Sequence, residues 1–378
     1  LENFIKEFEI TNYKKFEYLK VDNLGRINLI CGNNNIGKTT LLEALLFPSD
    51  NLNLIDFYHH TLCQRNIHFH VKNITTSPIF PKNNFLEYIF KDIQKPLIFR
   101  YKIQNKIESI QLEHIKISSL TQEDKNLRKD NTTIRNVLHW IKFSKNDIPN
   151  ELQFLHYSDF VRTGYPNVNF LESNLNDGSE HERYKKSIAE RFLELAKNTE
   201  NKSKLIELLN LFTKIEDIDV RKVGDEFANR TGQISIATKE NGFQPITTFG
   251  NGFIRYFSIV LGLLSSNEKV VKFAIDEIEN GIHHSKLDEL WSVIFNLVKE
   301  KNIQLFISTH SEECIESFSK VAKLAESEII RKDLRILTLE HNLFNEFNTI
   351  ICKTSDFEII DNGLSNGFDF RGGLWAHD

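Results

Sequence analysis

The chain has 378 residues, which at roughly 150 residues per domain gives room for two or three domains. Apolar residues make up 40% and charged residues 26%, ordinary globular usage that excludes a mostly disordered, collagen-like or disulfide-dense chain. Lys and Arg number 47 against 52 Asp and Glu, a net charge of −5; the chain as a whole is not a basic nucleic-acid binder, although a local basic groove stays compatible with it.

The first predicted element is a strand. Over Phe4–Ile10, period-2 spacing sets Phe4, Phe8 and Ile10 on one face and Glu7 and Glu9 on the other. Arg26–Cys31 is a second apolar run, stopped by Gly32, and Thr39–Phe47 is helix-like until Pro48 ends it. From about residue 50 to 235 the pattern loosens into polar stretches such as Ser144–Asp147, with helices predicted over 182–198 and 202–214. Ile188, Phe192 and Leu195 share one face of the first of these. No internal repeat or long heptad run is present, which argues against a coiled-coil arm.

From residue 235 an α/β rhythm returns: a buried-strand run at Val270–Ile275, a helix over Ser285–Lys301, and a strand at Gln304–Ser308. Such alternation predicts a mostly parallel sheet. The expected organisation is one α/β head built from residues 1–58 and 235–378, with a largely helical lobe inserted over 59–234.

The most specific local signal is Gly32-Asn33-Asn34-Asn35-Ile36-Gly37-Lys38-Thr39, which fits GxxxxGK[S/T] between an apolar strand and a helix. Glycines let the backbone curl so that its N–H groups converge on phosphate oxygens, and the following helix adds its N-terminal dipole. Lys38 is suited to neutralising β- and γ-phosphates, and Thr39 to holding Mg²⁺ through its hydroxyl. Gly32 through Thr39, with Thr40 beside them, are therefore candidate residues for ATP and its Mg²⁺.

Asp276 and Glu277 end the apolar strand Phe273–Ile275. In isolation the pair reads equally as a solvated loop start. Downstream of a phosphate loop it points to Asp276 in the metal shell and Glu277 as the base that orients or deprotonates the attacking water. His310 follows the next apolar strand, one helix and one strand further on, which places it at the neighbouring strand tip as a sensor of the γ-phosphate. Gly250, Asn251 and Gly252 open a strongly apolar helix; alone they read as a capped turn, and as a helix N-terminus they suit an anion.

His59, His60, Cys63, His68 and His70 crowd the start of the insert, but their spacing matches no established zinc pattern, and a polar loop is the preferred reading. Cys31, Cys63, Cys314 and Cys352 are scattered without a CxxC pair, in keeping with a reducing cytoplasm. Leu1–Glu7 has no basic-then-apolar leader pattern, and no apolar run approaches the roughly 18 residues of a membrane span. A cytoplasmic location without membrane association is expected.

The order of phosphate loop, Gly-rich helix start, acidic strand and switch histidine resembles the ABC-type ATPase heads of the RecF, SMC and OLD group. Ile275–His283 is similar to that group's acidic strand plus D-loop, and Ile5–Phe16 to its first strand. The resemblance covers roughly residues 1–50 and 235–330. Within the group the chain looks most like the AAA-family ATPases of bacterial anti-phage defence, AriA-like in PARIS systems or Septu-like, some of which end in an Arg-containing stretch similar to Gly367–Arg371.

This resemblance implies a P-loop NTPase head that dimerises or oligomerises around ATP, with Gly250, Asn251, Gly252 and Arg255 reaching the nucleotide of the opposing subunit. It also implies a role as sensor or regulator of a toxic effector. The signature is not LSGGQ-like, and no Gln of the insert is assignable to a Q-loop. The stretch after His310 is short for a Toprim nuclease, so a nuclease or toxin is expected as a separate partner. Two other readings stay open: a RecF-like repair ATPase that clamps DNA, and a nucleotide-bound scaffold with little turnover.

Overall fold

The computed structural model describes residues 4–46, 89–115, 140–146, 148–154, 170–171, 188–221, 233–265, 271–324, 331–342, 349–371 and 374–375. In chain order the strands are β1 Ile5–Tyr13, β2 Phe16–Val21, β3 Ile27–Gly32, β4 Leu97–Ile103, β5 Lys106–Ile115, β6 Trp140–Lys145, β7 Ile148–Phe154 and β8 Phe170–Leu171. They continue as β9 Asp217–Arg221, β10 Gln233–Thr238, β11 Gly242–Pro245, β12 Val271–Ile275, β13 Ile303–Ser308, β14 Leu334–His341, β15 Ile350–Asp356, β16 Phe368–Asp369 and β17 Leu374–Trp375. The helices are α1 Lys38–Leu45, α2 Ile188–Leu195, α3 Thr199–Asn210, α4 Asn251–Leu264, α5 Leu287–Glu300, α6 Glu312–Leu324 and α7 Phe357–Ser365. None of the described helices is long and apolar enough to cross a membrane.

Packing divides the chain into two compact units. The first takes residues 1–24, 35–166 and 339–354; the second takes 25–34, 167–338 and 355–378. The expected three stretches, 1–58, 59–234 and 235–378, are thus regrouped, and residues 25–34 leave their neighbours to join the second unit.

In the first unit the strands form an antiparallel sheet in the order β2-β1-β4-β5-β6-β7. Alternation drives it: Phe8 and Ile10 are fully buried while Glu7 and Glu9 lie partly in solvent, and Leu97, Phe99 and Tyr101 repeat the pattern on β4. The Phe8 and Tyr101 rings meet at 4.8 Å. Asn12, at φ 61°, ties the end of β1 to the segment before β4. Its Nδ2 donates to the carbonyls of Asp92 and Lys95, both at 2.8 Å, and its Oδ1 accepts from the Asp92 N–H at 2.7 Å.

Much of the stretch 59–234, expected to be largely helical, lies outside the described residues. Among the described residues, those from Leu97 to Phe154 form the strands β4 to β7 with their turns, and the helices α2 and α3 follow. The period-2 runs are joined by short polar turns in which Gln104 and Asn146 take φ of 55° and 52°, so the strands read as a loosened pattern.

The second unit is built on parallel pairing. β3 joins β13, with Leu29 opposite Ile307, and β13 joins β12, with Ile307 opposite Ile275. β8 flanks β12 and β14 flanks β3. Every residue of β3 and β13 is buried, as expected of parallel strands shielded on both faces. Residues from both ends of the sequence therefore share one sheet. α4 is buried along almost its whole length, the sign of a core helix. α5 and α6 pack through Trp291 and Phe318, whose rings meet edge-on at 4.9 Å.

Candidate active site

Parallel pairing brings the ends of β3, β12 and β13 to one edge of the sheet. Gly32, Asp276 and Ser308 lie there, and the Thr309 N–H donates to the Ile30 carbonyl at 3.1 Å. The carboxyl edge of parallel strands is where such sheets place their ligands.

The phosphate loop leaves this edge. Gly32, Asn35 and Gly37 have φ of 142°, 61° and 122°, positive values of the kind found where successive backbone N–H groups form an anion-binding turn. A Cβ on Gly37 would lie 2.9 Å from Cζ of Phe16, so the position admits glycine only. Ile36 is buried, Asn33, Asn34 and Asn35 are exposed, and Lys38 and Thr39 are half-buried ahead of the buried Thr40.

Two lysines of the β1–β2 turn, which sequence reasoning missed as site residues, brace this segment. Lys15 donates its Nζ to the Asn35 carbonyl and, at 3.0 Å, to Asn35 Oδ1. Lys14 forms a buried 2.5 Å ion pair with Glu43. The signal for Lys14 was Glu43 itself, a carboxylate inside the apolar helix run Leu41–Leu45, which burial obliges to find a cation.

The acidic strand end is tightly determined. Asp276 is 7% exposed, and Ser308 Oγ donates to its Oδ1 at 2.5 Å while accepting from the Glu277 N–H at 2.8 Å. Glu277 sits at φ 47°, a left-handed conformation that a non-glycine residue keeps only where its surroundings impose it. Here the Asn280 N–H donates to its carbonyl at 3.0 Å, and the Ile278 N–H to the Ser308 carbonyl at 3.1 Å.

The clamp is completed from α4. Arg255, 2% exposed, donates to the Asp276 carbonyl at 2.5 Å and to the Glu277 carbonyl at 3.2 Å. Arg255 therefore faces inward, which corrects the expectation that it reaches another subunit's nucleotide.

His310 follows β13 with its side chain half-exposed. Its backbone N–H donates to Glu279 Oε1 at 2.9 Å, and its Nδ1 lies 3.1 Å from the same oxygen. Just beyond, Ser311 Oγ donates to Glu313 at 2.7 Å and holds that carboxyl below its ordinary value.

Gly250, at φ 82°, caps α4; Gly250 and Asn251 are exposed, and the space beside Gly250 is open. Gly252 packs so closely on the D-loop that a Cβ would lie 2.5 Å from the Gly281 carbonyl oxygen. The Gly-rich helix start and the acidic segment are thus one packed assembly. The histidine and cysteine cluster at His59–His70 lies outside the described residues.

The residues fit a nucleoside triphosphate with its Mg²⁺. By donor chemistry, the loop offers backbone N–H groups, the Lys38 ammonium and the Thr39 hydroxyl, which suit phosphate, and the acidic strand end offers the Asp276 carboxylate, which suits a hard, oxygen-ligated cation.

The chain is similar to known proteins in family and fold. A family model described as "AAA domain, putative AbiEii toxin, Type IV TA system" matches residues 27–316. A Helicobacter pylori protein named ATP/GTP phosphatase is 25% identical over 344 residues, covering 84% of this chain and 88% of its own length. Among solved structures, a SmcHead bound to the C-winged helix domain of ScpA superposes with a TM-score of 0.52 over 95% of this chain and 99% of its own, at 12% identity, a likeness of fold.

Proposed function

The chain belongs to the AAA-domain family described as putative AbiEii toxin of a type IV toxin–antitoxin system and is an ATPase with an ABC-type head, and from that premise we propose that it works as an ATP-driven dimerising switch. The observation that carries this reading is the strained, over-determined Glu277 beside His310, at the sheet edge from which the phosphate loop departs. Strain of this kind persists where positioning is required.

Lys38 neutralises the β- and γ-phosphates, while backbone N–H groups of the loop from Gly32 to Thr39 hold the phosphate oxygens. Thr39 and Asp276 hold Mg²⁺, which when bound offsets the charge on the transferring phosphoryl group. Ser308 fixes one oxygen of Asp276 and so aims the carboxylate. Glu277 orients and deprotonates the attacking water, and His310 senses the γ-phosphate. Gly250, Asn251 and Gly252, at an exposed helix start, complete the site of an opposing copy.

The biological reading is a sensor or regulator in bacterial anti-phage defence whose nucleotide state holds or releases a separate toxic effector. The family's toxin–antitoxin description supports that setting, and the phosphatase name of the Helicobacter pylori relative supports turnover over a passive scaffold. Light scattering of the Glu277→Gln protein tests the switch: its mass should double in Mg²⁺ and ATP and return to that of one chain without nucleotide. A single-chain mass in both conditions refutes it. Co-purification with the product of a neighbouring gene supports effector control, whereas DNA-stimulated hydrolysis supports the DNA-clamping alternative.

A further inference from the structure

Resting on the reading of His310 as the γ-phosphate sensor, we propose that Glu279 is its positioning residue, fixing the neutral imidazole as the Nδ1–H tautomer so that Nε2 faces the site as an acceptor. Glu279 lies on the D-loop two residues past Glu277. A single oxygen, Oε1, receives both the His310 backbone N–H at 2.9 Å and Nδ1 at 3.1 Å. Two contacts to one atom set both the position of the residue and the rotation of its ring.

The Glu279 side chain is only 11% exposed, and Oε2 is buried without a hydrogen-bond partner among the described residues. A carboxylate kept in so costly a place is committed to the two contacts its Oε1 makes with His310. Its charge also reaches inward: burial first, and then the Glu279 carboxylate, push the Cys314 thiol up. The D-loop holds Glu279 in turn, since the Ile282 N–H donates to its carbonyl at 2.9 Å and Gly281 turns the chain at φ 75°.

An ionised carboxylate can only accept a hydrogen bond, so a neutral imidazole facing it must carry its proton on Nδ1. Nε2 then carries a lone pair on a half-exposed side chain, able to accept a hydrogen bond from the water that Glu277 deprotonates, so that His310 senses the γ-phosphate through that water. Because Gly252 packs against the Gly281 carbonyl, the loop that orients His310 also touches the helix start that an opposing copy's nucleotide would meet.

The test uses the full chain, with histidine ¹⁵N spectra and steady-state hydrolysis, and assigns His310 by its loss in His310→Gln. The wild type should carry the neutral proton on Nδ1, Glu279→Gln should keep it there, and Glu279→Ala should shift it toward Nε2. Glu279→Ala should lower kcat about tenfold or more, the scale on which an outer partner orients a histidine, with KM little changed. In a His310→Ala background the same substitution should cost nothing further. A wild-type proton on Nε2, or an equal kcat loss with and without His310, overturns the role of Glu279 while leaving the hydrolysis assignment intact. Full kcat in His310→Ala, with the tautomer as expected, instead overturns the sensor reading and the positioning role with it.

Discussion

Arg255→Met is the most informative substitution at the acidic strand end, because Arg255 is the physical link between the Gly-rich helix and the backbone carbonyls of Asp276 and Glu277. Methionine keeps most of the buried length and donates nothing. The Glu277 carbonyl retains the Asn280 N–H at 3.0 Å, whereas the Asp276 carbonyl loses its 2.5 Å charge-assisted bond. One such bond in full and a second in part come to roughly 2–4 kcal/mol, at about 1.5–3 kcal/mol each. Removing a buried cation offsets some of this, so a net loss of about 2 kcal/mol is expected.

The assay is urea unfolding followed by Trp291 fluorescence, with Trp140 and Trp375 replaced by Phe. Trp291 is fully buried and donates its Nε1–H to the Cys314 carbonyl at 3.1 Å, so it reports on the second unit. Hydrolysis measured alongside should lose at least tenfold in kcat as Glu277 leaves its left-handed conformation, roughly 1.4 kcal/mol of transition-state stabilisation or more. Arg255→Lys, which keeps the charge but not the two-pronged geometry, should fall between. Stability within about 0.5 kcal/mol of wild type together with full kcat would refute the claim that α4 positions the base, since that is the range of substitutions that disturb nothing.

Gly37→Ala should abolish ATP binding, measured by calorimetry, because its Cβ must displace Phe16; unchanged affinity would show that the loop tolerates a side chain. Asn12→Ala removes four side-chain hydrogen bonds and an Asn favoured at positive φ, and should destabilise the first unit by roughly 2–4 kcal/mol, seen as faster amide exchange across residues 89–96. Lys320, then Ser317, holds Asp288 below the usual carboxylate value. Its contribution is therefore present above the unfolded value near ~3.9 and lost as pH falls through the lower folded one. Asp288→Asn should thus cost under ~1 kcal/mol at neutral pH, because the pair is solvent-screened, and nothing below that window; a cost that persists in acid would contradict the ion pair as its source.

Much of the site was legible in the sequence because its signals are local. Gly32, Gly37 and Lys38 carry their meaning in their spacing, and Asp276, Glu277 and His310 stand at the ends of apolar runs whose parallel pairing placed them at one sheet edge. What stayed hidden depends on contacts between distant positions. Arg255 read as an outward signature residue because nothing in the helix sequence tells that Asp276 and Glu277 lie behind it. Glu279 read as part of a motif, and its partner is 31 residues away. The described strands of the insert did not stand out in the sequence because antiparallel strands with polar outer faces, such as Lys106–Ile115, show weaker runs than the buried parallel strands β3 and β13. Residues 25–34 pass into the second unit because β3 pairs with β13, a long-range contact.

The central claim is that Glu277 is the base for hydrolysis of a nucleotide held on the loop from Gly32 to Thr39. Its most direct test is ATP binding and single-turnover phosphate release by the Glu277→Gln protein. The account predicts wild-type affinity for ATP with release slowed by about 100-fold or more, the loss expected on removing a general base. Release at the wild-type rate would contradict it.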